Sequence, residues 1–139
     1  MAITQAMCTS AKADFLGGVI DLDTDTIKIA LYTSAATLSA ATTVYTTSDE
    51  VVGVGYTAGG NTLAGATIST SGTTAFVDFT DTTWGTATIT ARGALIYDSS
   101  KSDKAVAVLD FGADKTSTAG DFTIQFPVND ATNAIIRIV

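Results

Sequence analysis

The chain contains no histidine, a single cysteine, a single proline and little charge. Each shortage narrows the chemistry open to it. Without histidine it lacks the commonest general base, the usual partner of a serine or cysteine nucleophile, and the commonest zinc ligand. Cys8 has no second cysteine, so neither an intrachain disulfide nor a thiolate pair for a metal is possible. It reads as a small, partly buried apolar residue. No apolar run approaches the roughly 18 residues of a membrane span. The seven lysines and arginines are scattered, and the net charge is −7. A nucleic-acid binder needs a basic stripe to neutralise phosphates, so no nucleic-acid partner is expected. The start, Met1-Ala2-Ile3-Thr4-Gln5, lacks the basic head and apolar run of a signal peptide. The expectation is therefore a protein made and kept in the cytoplasm, unless it leaves by another route such as lysis.

Charged residues make up 15% of the chain, well under the roughly 25% of an average soluble protein. Thr, Ser, Ala and Gly take their place. Such a surface suits docking against another protein, because little charge has to be desolvated. Threonine also simply fits strands well.

What is present in quantity is period-two alternation. Ile27, Ile29 and Leu31 alternate with Lys28, Ala30 and Tyr32, and Phe122, Ile124, Phe126 and Val128 with Thr123, Gln125 and Pro127. Ala134, Ile136 and Ile138 repeat the pattern near the end, and Val77 and Phe79 flank Asp78. Residues 87–97 and 105–111 read as central strands, the second apolar enough to be covered on both faces. Shorter strands are predicted near 44–46, 50–52 and 63–70. Turn signals at Ala58-Gly59-Gly60-Asn61, Ser71-Gly72, Asp98-Ser99-Ser100-Lys101, Ala119-Gly120-Asp121 and Asn129-Asp130 separate them. One segment breaks the pattern. Ala11, Phe15 and Leu16 have helical spacing, Thr9 or Ser10 is placed to cap the start, and Gly17-Gly18 to stop it. The fold expected is all-β: one β-sandwich or jelly-roll-like domain over residues 1–139, with one short N-terminal helix packed by Phe15 and Leu16. Residues 1–8 are expected as an extended contact arm, and 33–47 as a long surface loop.

Carboxylates are the only groups left for acid–base work. Asp78, Asp81, Asp98, Asp103 and Asp110 are the candidates. Most fall at turns, where aspartate solvates the backbone. Asp78 and Asp110 lie within apolar strands, and Arg92 is the expected partner in a structural ion pair. Asp21, Asp23 and Asp25 have the alternate spacing that opens a calcium loop. The match then fails, since Thr26 stands where glycine is needed and Tyr32 where glutamate is. They are weak metal candidates set against a plain acidic turn, and no cofactor is expected. The run Gly53 to Gly60 ends in no Gly-Lys-Ser/Thr and opens no helix, so its glycines serve positive φ and close backbone approach. Tyr45, Tyr56 and Trp84 form either a sugar-stacking platform or, more simply, core and interface.

Four stretches carry a resemblance that covers nearly the whole chain. They are Phe15 to Gly18 with Asp21 to Ser34, Glu50 to Gly60, Ala91 to Lys101 with Ala105 to Gly112, and Phe122 to Pro127 with Ile135 to Ile138. Together they resemble a family of small virion proteins of tailed bacteriophages, similar in size to capsid decoration, or cement, proteins. The resemblance implies a structural protein without catalytic residues, bound to the major capsid protein and to further copies of itself on the capsid exterior. The segment 1–9 and the loop 33–47 are the expected contacts, with Ile3, Met7, Thr37, Leu38, Val44 and Tyr45 as interface candidates. The alternative is a phage tail or fibre module, or a receptor- or sugar-binding β-sandwich. A carboxylate hydrolase is the third and least favoured reading.

Overall fold

Two strands dominate the chain. In the computed structural model, which describes residues 2–139, β6 (Thr82–Asp98) and β7 (Lys104–Ile124) form one long antiparallel hairpin. The other elements are β1 (Ala6–Met7), α1 (Thr9–Leu16), β2 (Ile27–Tyr32), β3 (Asn61–Thr62), β4 (Thr67–Ser71), β5 (Thr74–Asp78) and β8 (Ile136–Ile138). They build two antiparallel sheets, a five-stranded one in the order β1-β7-β6-β2-β3 and a three-stranded one in the order β4-β5-β8. The protein is thus mostly β with one short helix.

The expectation of uniformly short strands is corrected by β6 and β7. The signal at 119–121 does not reverse the chain, and the strand expected to end at 111 runs on to 124. Gly112 and Ala119 take positive φ, 78° and 46°, and the ladder with β6 slips beside them. A residue that permits a turn also permits a bulge, and pairing with β6 on both sides of each slip keeps the strand running. The short strands expected near 44–46 and 50–52 are only single bridges, at Val44 and Glu50, and the one near 63–70 begins at Thr67. β2 starts at Ile27, Gly72 closes the β4–β5 turn at φ 59°, and the strand expected near 122 is the end of β7.

At β2 and the adjoining halves of β6 and β7 the large sheet is buried on both faces. Ile29, Leu31, Ala94 and Ile96 share one core cluster with Val77, Phe79 and Ile136 from the side of the small sheet. Ala30, Tyr32, Leu95 and Tyr97, pointing the other way, share a second with Ile3, Cys8, Ala11, Ala36 and Leu38. This explains why Ala105 to Val108 is apolar without alternation. It also fixes the segments expected to be free. Ala6 and Met7 pair with Val108 and Ala107, Ile3 bridges Leu38 in parallel, and Thr4 N–H donates to Leu38 O at 2.9 Å. The N-terminal segment is a docked edge of the domain, not an extended arm. An arm carrying Ile3 and Met7 beside an open apolar face buries them there.

The helix has the expected bounds but different ends. Cys8, not Thr9 or Ser10, is the N-cap, and its side chain caps nothing. The Thr9 amide is satisfied instead by Ala40 O at 2.9 Å, so the 33–49 loop does the work of a cap. Gly17 stays right-handed and Gly18, at φ 69°, ends the helix. Only Ala11 is fully buried. Phe15 touches both cores, whereas Leu16 is 92% exposed, so the expected packing of Leu16 is corrected.

Candidate functional site

Glu50, the only glutamate of the chain, is buried and meets all four tyrosines or their neighbours. Tyr45 donates to its Oε1 at 2.6 Å, Tyr56 to its Oε2 at 2.6 Å, and the Gly59 amide to Oε2 at 2.8 Å. Tyr97 stacks on Tyr45 with ring centroids 4.6 Å apart and donates to Gly59 O at 2.7 Å. Tyr32 donates to Thr46 O at 2.6 Å. A buried carboxylate is tolerable only when its lone pairs are met, and three donors meet these. Burial, then the charge of Glu50, pushes the Tyr32 hydroxyl up, and burial followed by the hydrogen bond to Glu50 does so for Tyr45 and Tyr56. Burial followed by Asp103 and Glu50 carries Tyr97 to about 12. The phenols therefore remain neutral donors that tie the loops around 46 and 59 to the large sheet. Sequence reasoning missed this cluster because its members are scattered over 65 residues of alternating chain with no common spacing.

The glycine run supports the same cluster. A Cβ at Gly60 would collide with the Ile29 carbonyl oxygen, and Gly60 holds φ 75°. A Cβ at Gly55 would lie 2.7 Å from Ala87 Cα. The glycines let the 53–60 loop lie against the large sheet, bringing Tyr56 and Gly59 to Glu50.

The acidic candidates are drawn into separate local roles. Asp21 Oδ1 accepts from the Asp23 and Thr24 amides at 3.0 and 3.3 Å, closing a tight turn that holds its carboxyl below the usual range. Asp23 is exposed. Asp25 accepts from the Asp21 amide at 2.9 Å and from Lys101 Nζ at 3.2 Å. Its second neighbour is Asp98, which is fully buried. Asp98 Oδ1 accepts from Ser100 N and Oγ at 3.0 and 2.6 Å. Its Oδ2 has no donor unless the two carboxyls share a proton, and that sharing raises Asp98 and lowers Asp25. Desolvation is the larger cause at Asp98, and the hydrogen bond from Asp98 at Asp25. No group of three or more metal-ligating side chains converges among the described residues.

Arg92 does not meet Asp78 or Asp110. It pairs with Asp114 at 3.2 Å, across the bulge that β7 makes at 111–114. Asp110 Oδ1 instead accepts from the Gly112 amide at 2.8 Å within that bulge. Asp78, at the end of β5, keeps one buried oxygen without a partner. Asp81 Oδ1 accepts from the Phe126 amide at 2.8 Å. The carboxylates expected as a possible acid–base set are thus dispersed over turns and bulges.

The remaining named residues divide between core and surface. Ile3 and Leu38 are buried in the second core and offer no contact surface, a correction to their place among the interface candidates. Met7 is half-buried in β1, Thr37 is exposed, Val44 is 47% exposed beside Lys104, and Tyr45 is held by Glu50 and Tyr97. Trp84 is buried against Tyr56 and Phe122, and so presents no face to a sugar.

The exposed apolar surface lies elsewhere. Phe15 and Ile138 are shared by two adjoining hollows of about 300 Å³ each. One runs between the 20–22 segment and the small sheet, reaching Ile68 and Phe76. The other lies beside α1, lined by Met7 and Leu16 and bordered by Lys12 and Arg137. Leu16, Ile68 and Ile138 are more than half exposed. The alternation of the sequence marks Ile138 as core. Ile136, two residues earlier on the same face, is buried, whereas Ile138 is open to both hollows.

No protein-family model, curated protein or solved structure matches this chain. Among the described residues no helix is long and apolar enough to cross a membrane. The chemistry of the surface therefore carries the functional reading.

Proposed function

We propose that the chain is a structural virion protein that decorates the outer surface of a bacteriophage capsid by binding the major capsid protein. The observation that carries this reading is the apolar groove shared by α1 and the small sheet, with Leu16 and Ile138 exposed. Contiguous exposed apolar side chains mark contact surfaces. Two of the seven cations, Lys12 and Arg137, border the groove on a chain of net charge −7, and neither is in an ion pair among the described residues. That pairing of apolar floor and basic rim fits an apolar segment of the capsid protein flanked by carboxylates. The two sheets, in this reading, pack as a β-sandwich of jelly-roll type. Such a frame needs no moving part to clamp neighbouring capsomers, and repeated weak contacts on a lattice add through avidity. The sequence resemblance to small phage virion proteins points the same way.

The test is addition of the purified chain to capsids that lack it, followed by co-sedimentation and cryo-electron reconstruction. Saturable binding is expected, with density at each equivalent position of the capsid lattice. Leu16→Asp and Ile138→Asp weaken it at least about tenfold without unfolding the chain, because both side chains face solvent in the free protein. Density at the tail alone, or undiminished binding by both variants, overturns the reading.

A further inference from the structure

β7 is covered along its length on one side only. β6 pairs with it from Lys104 to Ile124, whereas β1 lies on the other side at Ala107 and Val108 alone. Gln5 extends that cover by one position, its side-chain oxygen accepting from the Asp110 amide at 3.2 Å. Beyond it, no strand among the described residues lies against the outer edge of 111–123. A groove of about 530 Å³ runs beside this edge, with Phe111, Phe122 and Phe126 in its lining. Unpaired N–H and C=O groups in such a row are a template for another strand.

Exposed edges are commonly blunted by proline, by charged side chains or by bulges. This one has no proline, and its charges are of both signs. Asp114 is engaged by Arg92. Lys115 and Asp121 are exposed and in no ion pair among the described residues. They stand three residues to either side of Thr118. If two copies pair antiparallel about Thr118, Lys115 of each faces Asp121 of the other, giving two cross-strand pairs of opposite charge. Centring the pairing on Lys115 or on Asp121 sets like charges opposite each other instead. The residues between, Thr116 to Gly120, are small and let two backbones approach.

We infer that two copies of this chain associate through the outer edge of β7, antiparallel about Thr118, joining their five-stranded sheets into one. The contact is self-complementary, as two-fold symmetry requires. It is short for an obligate dimer, so it dissociates in the micromolar range. It uses neither Leu16 nor Ile138, and it stands or falls separately from the capsid reading.

Sedimentation velocity of the full chain over micromolar concentrations tests it. The wild type is expected to pass from monomer to dimer. Lys115→Asp raises the dissociation constant at least about tenfold, since it replaces two attractions with two repulsions. The combined variant Lys115→Asp with Asp121→Lys restores the dimer, because both pairs re-form with reversed polarity. Thr118→Cys gives a disulfide-linked dimer on oxidation, with the native Cys8 buried and unable to substitute. Far-UV circular dichroism checks that each variant is folded. A wild type that stays monomeric throughout, a Lys115→Asp variant that dimerises as well as wild type, or an edge filled only by a strand of a different protein overturns the inference.

Discussion

The Tyr56 hydroxyl donates to Glu50 Oε2 at 2.6 Å and accepts from the Leu31 amide at 2.9 Å. One phenol therefore satisfies a buried carboxylate and a backbone N–H of the central sheet. Tyr56→Phe leaves the amide without an acceptor and the carboxylate with one donor fewer, and is expected to cost about 1–3 kcal/mol. Glu50→Ala strands Tyr45, Tyr56 and the Gly59 amide together and costs more, about 3 kcal/mol or above. Urea denaturation of the two variants measures both, and a Tyr56→Phe variant as stable as wild type contradicts the network.

The Asp25–Asp98 pair gives stability a pH dependence of definite sign. Asp98 is raised above its ordinary value in the folded chain, so folding binds extra proton there. Its contribution is complete below the ordinary carboxylate range and is lost as pH rises through the raised value. Asp25, lowered in the fold, contributes in the opposite sense, with stability present above that range and lost as pH falls. Asp98→Asn keeps the acceptor for Ser100 and supplies a permanent donor toward Asp25. The stability difference between Asp98→Asn and wild type is therefore expected to grow in favour of the variant from about pH 4 upward. Denaturation midpoints at several pH values read it, and a constant difference argues against a shared proton.

Core and surface separate two of the interface candidates. Ile3 is buried beside Gly93, where its methyl groups lie within 2.9 Å of the position a Cβ would take. Ile3→Ala should destabilise by about 2 kcal/mol or more. Thr37→Asp, at an exposed position, should change stability by no more than about 0.5 kcal/mol. Equal effects of the two substitutions would contradict the docked N-terminal segment.

Cys8 is fully buried, and burial pushes its thiol up to about 11. A thiol reagent at neutral pH is expected to leave the folded chain unmodified and to react at once in denaturant. Rapid labelling of the native protein would show that the α1 region opens readily.

How far the sequence could be read depended on the range of the forces involved. The alternation at 27–32 located β2 and the helical spacing at 9–16 located α1, because both patterns follow from local backbone geometry. Ala119-Gly120-Asp121 was ambiguous for the same reason. A local signal permits either a turn or a bulge, and only pairing with β6 decides between them. Ile3 and Leu38 carried no local sign of the parallel bridge that buries them. Glu50 bonds Tyr45 and Tyr56 from its own loop region, but its burial against the sheet that carries Tyr32 and Tyr97 is a long-range event.

The sequence by itself determined the class of the protein: a β-rich chain without histidine, a cysteine pair or a completed calcium loop, because residue types and period-two patterning are local properties. Tertiary structure decided which surfaces remain open. Leu16 and Ile138 are as apolar as Ile3 and Leu38, but no element packs over them, and the outer edge of β7 is free because β1 stops at Val108. Exposure is a property of what lies opposite a residue, and that is set by strand order and packing across the whole chain.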